Sequence, residues 1–362
     1  MSPSGKTLVY ISRSRLHRNR ANLVQTVRTV EAFAQSGIDV SLYMPPWKGR
    51  QGLAERLADL GVSRPLDIHF SLLLHSRFRL RPFVLVYRRE LRAADIVYVR
   101  HVDLTLELCR SRIPHVLEIH AFDRAFGKRG WLAPIVAAQR EGLVQYLLPS
   151  SRAAAARLVE AGADPERVHV APSGVDLAAF EAVEPVDPGA LRHPRVVHIG
   201  SLSHDRGLAV FEALADSGVA DVSLVGSGLT DVRPRPGLRM VGYVPHRSVA
   251  EWYGRSEIAV IPYQRDLNTA DAMSPVKLFE AMAAGRVVVA SDLPPIREIV
   301  VDGVNGLLVD PEDLDGWIAA VKRLTLDPDL ATRLASAARS DAKKYSWRRR
   351  AEDIARACGW AC

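Results

Sequence analysis

The chain has 362 residues, of which 48% are hydrophobic, and carries 48 Lys/Arg against 41 Asp/Glu, a net charge of +7. That length exceeds a comfortable single core, so two domains of about 180 residues are expected. Disordered, fibrous and membrane-spanning classes are excluded: no low-complexity run occurs, and no apolar stretch approaches the ~20 residues of a span. The N-terminus MSPSGKTLVYIS lacks the apolar stretch of a signal peptide, so the expected location is the cytoplasm. Cys109, Cys358 and Cys362 suit neither a zinc site nor a disulfide framework; Cys109 is expected in a core and the other two as reduced surface thiols. The excess charge is uneven. Residues 1–185 hold 26 Lys/Arg against 18 Asp/Glu and the remainder 22 against 23. A basic first half suits an acidic ligand or an anionic membrane surface, whereas sparse aromatics around the basic runs argue against nucleic acid.

Strand-like runs begin with Thr7–Ile11, followed by the loop Ser12–Arg20, which holds four Arg and His17. A charge run is usually a solvated face; the alternative is a cationic ligand site or a phosphate contact, with Arg15 and Arg18 as its candidates. After the strand Asp39–Tyr43, the segment Phe70–Leu85 interleaves Arg77, Arg79 and Arg81 with apolar residues. It reads either as an interfacial segment on an anionic membrane or as an ordinary amphipathic helix or loop. Strands Asp95–Val99, His115–His120 and Val144–Leu148 follow, and Phe180–Pro194, rich in Pro and Gly, reads as a linker. The second half supplies Arg195–Gly200, Val222–Val225, Glu257–Pro262, Arg286–Ala290 and Gly306–Val309, while Trp347–Ala357 is helical by pattern. Short β-rich runs alternating with helical patterns predict an α/β fold of two doubly wound parallel-sheet domains, near 1–180 and 195–345. Ligands of such sheets bind at the carboxyl ends of the strands, and the expected site lies in a cleft between the domains. Leu224–Gly228 places a Gly-x-Gly after a strand, a weak dinucleotide signal that reads equally well as a tight turn.

The densest information lies in residues 274–309. Ser274 is expected to cap a helix, Pro275 to occupy its first position, and Gly285 to hand the helix over to a buried strand. Lys277 and Glu280, at i and i+3, share a face of that helix. A phosphate held by the helix N-terminus and Lys277 leaves Glu280 within reach of a sugar hydroxyl, so a nucleotide is the expected ligand.

These residues resemble the donor-binding signature of retaining family 4 glycosyltransferases (glycosyl transferases group 1). The resemblance implies the GT-B architecture, two Rossmann-like domains facing across a cleft, with a last helix, residues 346–362, crossing back to the first domain. In that family two Glu lie in this segment; Glu280 matches the second, Ala272 stands at the first, and Met273-Ser274-Pro275-Val276-Lys277 is closer to a subset reading Met-Ser-Pro-x-Lys. Further matches are Leu148–Ser151, the turn Ala171–Asp176, and His198–Leu202 with Asp205-Arg206-Gly207, where Ser201 replaces one cation and Arg206 takes a Lys position. The implied roles are a leaving diphosphate held by Arg206 and Lys277, and a nucleotide held by Glu280, Ser274, Pro275, Val244 and Gly226. His120 is implied at the donor sugar, with Asp123 beside it on the acceptor side. Two cations and a helix N-terminus can replace a divalent metal, so metal-independent transfer without a cofactor is expected, from a UDP- or GDP-type sugar to a glycan, glycolipid or small molecule. A nucleotide-sugar epimerase and a non-catalytic partner of the same fold are the alternatives. A peripheral position on the cytoplasmic membrane face is an option left open by the basic half.

Overall fold

A computed structural model of the chain describes residues 5–76, 79–120, 130–228 and 232–360. The chain divides into two compact units, one of Met1–Ser173, Ala272–Ser274 and Trp347–Cys362, the other of Gly174–Asp271 and Pro275–Ser346. Arg77, Asp123 and Cys362 lie outside the described residues.

The first unit is built on six parallel strands: β1 (Thr7–Ile11), β2 (Asp39–Met44), β3 (Asp67–Phe70), β4 (Ile96–Val99), β5 (His115–Ile119) and β6 (Val144–Pro149), in the order β3-β2-β1-β4-β5-β6. β4 and β5 are buried along their whole length, as expected of strands covered on both faces by helices. Val97, Val99, Leu117 and Ile119 pack with Phe83, Leu104, Leu108 and Ile135 from the helices in one core. β3 was not among the expected strands because it is a four-residue edge strand with no fully buried residue, so it carries neither alternation nor an apolar run. The helix Leu80–Val86 that follows buries Leu80, Phe83 and Val84 while Leu85 and Val86 stay exposed. Trp347–Ala357 packs on the helix Ala21–Gln35 within this unit, burying Trp347, Arg350, Ala351, Ile354 and Ala355. That packing also corrects one expectation: Cys358 is buried, and burial pushes its thiol up to about 12.

The second unit repeats the plan with β7 (Arg195–Ser201), β8 (Asp221–Ser227), β9 (Leu238–Val241), β10 (Ile258–Ile261), β11 (Val287–Ser291) and β12 (Leu307–Val309), ordered β12-β11-β10-β7-β8-β9. Val196, Leu224, Val260 and Val289 meet Phe211, Leu214, Trp317 and Leu334 in its core. The stretch read as a linker is part of this unit. Val186 and Leu191 lie in the core, and carbonyls of the irregular backbone are taken up by Arg side chains: Arg339 donates to Val183 (2.8 Å) and Phe180 (3.1 Å), and Arg286 to Glu184. Pro and Gly signalled irregular backbone there, but irregular backbone can be packed when its polar groups are satisfied. Among the described residues no helix is long and apolar enough to cross a membrane.

In each sheet the chain winds one way from the first strand and then the other from the fourth. The crevice of such a fold opens where the order reverses, beyond the carboxyl ends of β1 and β4 in the first unit and of β7 and β10 in the second.

Candidate functional site

In the second unit the residues expected to hold a diphosphate gather at that reversal. Lys277 sits in the first turn of the helix Val276–Ala283, whose N-terminus has Pro275 as its cap residue and no capping side chain. Ser274 does not cap it. Its hydroxyl instead accepts from the Ser173 backbone N–H (2.8 Å), and its carbonyl accepts from the Ser173 hydroxyl (2.6 Å), which places Ser274 with the first unit. The Lys277 ammonium lies 2.9 Å from Nε2 of His198 and 5.3 Å from the Tyr263 ring centre. His198 is buried, and its Nδ1 lies 3.3 Å from the Val260 carbonyl, which takes the Nδ1–H and leaves Nε2 to accept from Lys277. Burial and the lysine charge both hold the His198 imidazole well below its ordinary value. Burial first, and the Arg206 charge second, pull Lys277 down to about 7 against the opposing pull of Glu280.

Arg206 therefore acts on the same space as Lys277. It comes from the short turn His204–Arg206 after β7, where its Nη1 bonds the Ser203 hydroxyl at 3.2 Å. Two glycines make the convergence sterically feasible. Gly200 has φ +134°, and a Cβ there would lie 2.9 Å from the Lys277 Nζ; Gly207 has φ +79°, and a Cβ would lie 2.2 Å from the Pro262 carbonyl oxygen at the end of β10.

Glu280 is buried one helical turn beyond Lys277, its Oε1 2.6 Å from Nε2 of His246. His246 follows the loop Gly242–Pro245 after β9, in which Val244 is half-buried, so the loop expected to meet a base is tied to the carboxylate expected to meet a ribose. No spacing in the sequence links positions 246 and 280, and His246 was not among the expected residues. Gly226 pairs with Gly200 across β8 and β7, and a Cβ on it would lie 2.0 Å from the Gly200 oxygen. Close approach of adjacent strand ends thus accounts for this glycine.

In the first unit His120 follows directly on β5 and pairs through Nε2 with the Glu118 carboxylate. Burial, then the Arg100 charge, push the imidazole down to about 4 against the pull of Glu118. A neutral ring that donates from Nε2 keeps Nδ1 as an acceptor. Glu118 is itself buried and accepts from Tyr98 Oη (2.6 Å), Tyr10 Oη (3.4 Å) and Arg350 Nη2. Burial opposes its ionisation, but Arg350 and His120 outweigh that and hold the carboxyl well below the usual range. Arg350 reaches on to the Pro172 carbonyl (2.7 Å) and the Thr29 hydroxyl (3.2 Å). Sequence reasoning missed Glu118 as the partner of His120 and Arg350 as the partner of Glu118. A carboxylate inside the apolar strand Val116-Leu117-Glu118-Ile119 was the available signal, since a buried charge demands a partner.

Of the residues expected on the acceptor side, Arg15 is half-buried and donates to the His75 carbonyl at 3.2 Å, while Arg18 is exposed. Ala272, at the position of the family's first Glu, is buried, its carbonyl accepting from the Ser150 hydroxyl at 3.0 Å. Among the described residues no three His, Cys, Asp or Glu side chains are grouped so as to hold a metal ion.

Comparison with known proteins bears on the same two units. A D-inositol 3-phosphate glycosyltransferase of Xylanimonas cellulosilytica is 28% identical over 275 residues, 66% of this chain and 64% of the relative. A phosphatidyl-myo-inositol mannosyltransferase of Mycolicibacterium smegmatis is 32% identical over 189 residues, 49% of this chain and 47% of the relative. The matches thus span between about half and two thirds of these curated relatives. The solved structure of Anabaena HepE with UDP and glucose superposes with a TM-score of 0.72 at 16% identity, covering 97% of this chain and 99% of HepE, and shares the fold. Residues 24–179 match the model of Glycosyltransferase Family 4 and residues 193–327 that of Glycosyl transferases group 1. The first half of the chain therefore carries a Glycosyltransferase Family 4 domain and the second a Glycosyl transferases group 1 domain.

Proposed function

We propose that the chain is a retaining, metal-independent glycosyltransferase that moves a sugar from a nucleotide-diphosphate sugar of UDP or GDP type to a glycan, glycolipid or small-molecule acceptor. The observation that carries this reading is the convergence of Lys277, Arg206 and an uncapped helix N-terminus beyond the ends of β7 and β10. As the anomeric bond breaks, negative charge builds on the departing diphosphate. Two preorganised cations and the helix N-terminus stabilise that charge by several kcal/mol, the work a divalent metal performs elsewhere. Glu280, oriented by His246, has its second carboxylate oxygen for the ribose hydroxyls. In a retaining transfer the incoming hydroxyl attacks the face that the leaving group vacates, and Nδ1 of His120 accepts from a hydroxyl of the reacting sugar. The UDP and glucose bound to HepE support a nucleotide-sugar donor. An epimerase or a non-catalytic partner has less support, because the two relatives described above are named as a glycosyltransferase and a mannosyltransferase.

A thermal-shift and calorimetric screen of UDP, GDP, ADP and dTDP tests the donor site. One nucleotide should stabilise the wild type, and Glu280→Ala should weaken its binding about tenfold, the loss of one charged hydrogen bond. Unchanged affinity in Glu280→Ala would remove that residue from the site, and no binding by any nucleotide would bring the non-catalytic reading forward. Turnover with the donor so identified should persist in excess chelator; activity lost to chelator and restored by magnesium would overturn metal independence.

A further inference from the structure

A lysine drawn out of water ordinarily stands beside a carboxylate, because a desolvated charge needs a partner. Lys277 does not. Glu280, one turn along the same helix, gives its Oε1 to Nε2 of His246. Among the described residues the ammonium meets no carboxylate and no hydrogen-bond acceptor other than Nε2 of His198, at 2.9 Å.

His198 is firmly placed. It lies inside β7, 2% exposed, its ring edge-on to Phe211 at 4.9 Å between centres and its Nδ1 3.3 Å from the Val260 carbonyl on β10. That carbonyl can only accept, so Nδ1 carries the ring proton and Nε2 turns its lone pair to the ammonium. Burial, Lys277 and then Arg206 keep the ring neutral, so the acceptor persists across the physiological pH range. Side chains two apart on a strand share a face, which sets position 200 toward Lys277 as well. A Cβ at Gly200 would lie 2.9 Å from Nζ, and glycine leaves the ammonium its room. The nature of the partner decides what the lysine can do next. A carboxylate in this place would hold the ammonium and cancel its charge, whereas an imidazole holds it through one N–H and cancels nothing. Around the pair, Arg206 from the turn after β7 adds a like charge and Glu280 on the same helix an opposing one. Tyr263, after β10, stays uncharged because burial pushes its phenol up to about 12.

We propose that His198 is a positioning residue that fixes the Lys277 ammonium through an uncharged acceptor, so that its full charge and its other N–H groups stay available to the diphosphate of the donor. The diphosphate rests on the glycosyltransferase reading; the hold on Lys277 stands on the geometry alone.

Two amide variants divide the imidazole between them. The carbonyl oxygen of His198→Gln reaches the place of Nε2 and keeps an acceptor for Lys277, at the expense of the Val260 bond. The amide of His198→Asn stands near Nδ1, so it keeps a donor for Val260 and leaves Lys277 without an acceptor. Competitive acetylation of the full chain from pH 5 to 9, read by mass spectrometry on the peptide carrying Lys277, gives the midpoint of that amine. It should lie at about 7 in the wild type. In His198→Gln it should stay within about half a unit, and in His198→Asn fall by about one unit, because an ammonium that loses its acceptor gives up its proton more readily. Calorimetry with UDP and GDP follows on the same three proteins. The nucleotide that binds the wild type should bind His198→Gln within about threefold and His198→Asn about tenfold more weakly at pH 7, with the fall in affinity setting in at a correspondingly lower pH. Equal midpoints in the three proteins, or tighter binding by the Asn variant than by the Gln variant, would show that His198 serves the fold and overturn the proposal. The expected order of midpoints in a wild type that binds neither nucleotide would overturn the diphosphate half, and the donor reading with it, while the pair itself stands.

Discussion

Lys277→Met is expected to lower kcat/KM for the nucleotide sugar about 10²–10³-fold while leaving the thermal midpoint unchanged or raised. The two halves of that expectation come from one fact. Burial and Arg206 hold the ammonium at about 7, whereas in the unfolded chain a lysine titrates at about 10.4. The folded state therefore binds this proton less tightly than the unfolded one, a penalty that is complete below about pH 7 and fades as pH rises toward the unfolded value. Methionine carries no such penalty, so the variant's gain in stability should be larger at pH 6 than at pH 9. On the function proposed above, a bound diphosphate offsets that penalty. Wild-type affinity for the nucleotide sugar should be constant below about pH 7 and fall by up to tenfold per pH unit above it, while Lys277→Arg should bind with little pH dependence across that range. Calorimetry from pH 6 to 9 reads both curves. A flat wild-type profile, or a methionine variant with full turnover, would place the diphosphate elsewhere.

What could be read from the sequence follows from range. Strands such as β1 and β11 declared themselves because a parallel strand buried on both faces needs an unbroken apolar run, and Thr7–Ile11 and Val287–Ser291 provide one. Lys277 and Glu280 were legible because three residues on a helix make a neighbourhood. The partners that give these residues their chemistry were not legible. His198 meets Lys277 and His246 meets Glu280 only after the chain has crossed the sheet, and Arg350 meets Glu118 across the first unit. Ser274 shows the same limit from the other side. Its place before a helix satisfied every local capping rule, yet a backbone N–H at Ser173 claimed the hydroxyl.

Arg350→Met should be the most destabilising single change, by about 3–5 kcal/mol, because it leaves the Glu118 carboxylate buried without its cation. Its pH dependence identifies the cause. In the wild type Glu118 titrates below the usual range, so the pair stabilises the fold above about pH 4.3, the unfolded value, and that contribution is lost as pH falls through the folded value. In the variant burial acts with less opposition and raises the carboxyl instead. The destabilisation should then be full at neutral pH and shrink as pH falls through that raised value. Denaturant unfolding at pH 7 and pH 4.5 measures the difference, and a cost equal at both would point to lost packing of the arginine stem. Adding Glu118→Gln to Arg350→Met removes the stranded charge and should recover a large part of the stability. It should not recover turnover. The carboxylate accepts the Nε2 proton of His120 and so keeps Nδ1 an acceptor; an amide, which can donate as well as accept, no longer fixes that tautomer. A double variant that folds well, binds the nucleotide with wild-type affinity and has a kcat reduced at least tenfold would separate the part of this buried pair that holds the first unit together from the part that sets His120 for catalysis. Wild-type kcat in that double variant would show that the pair serves the fold alone.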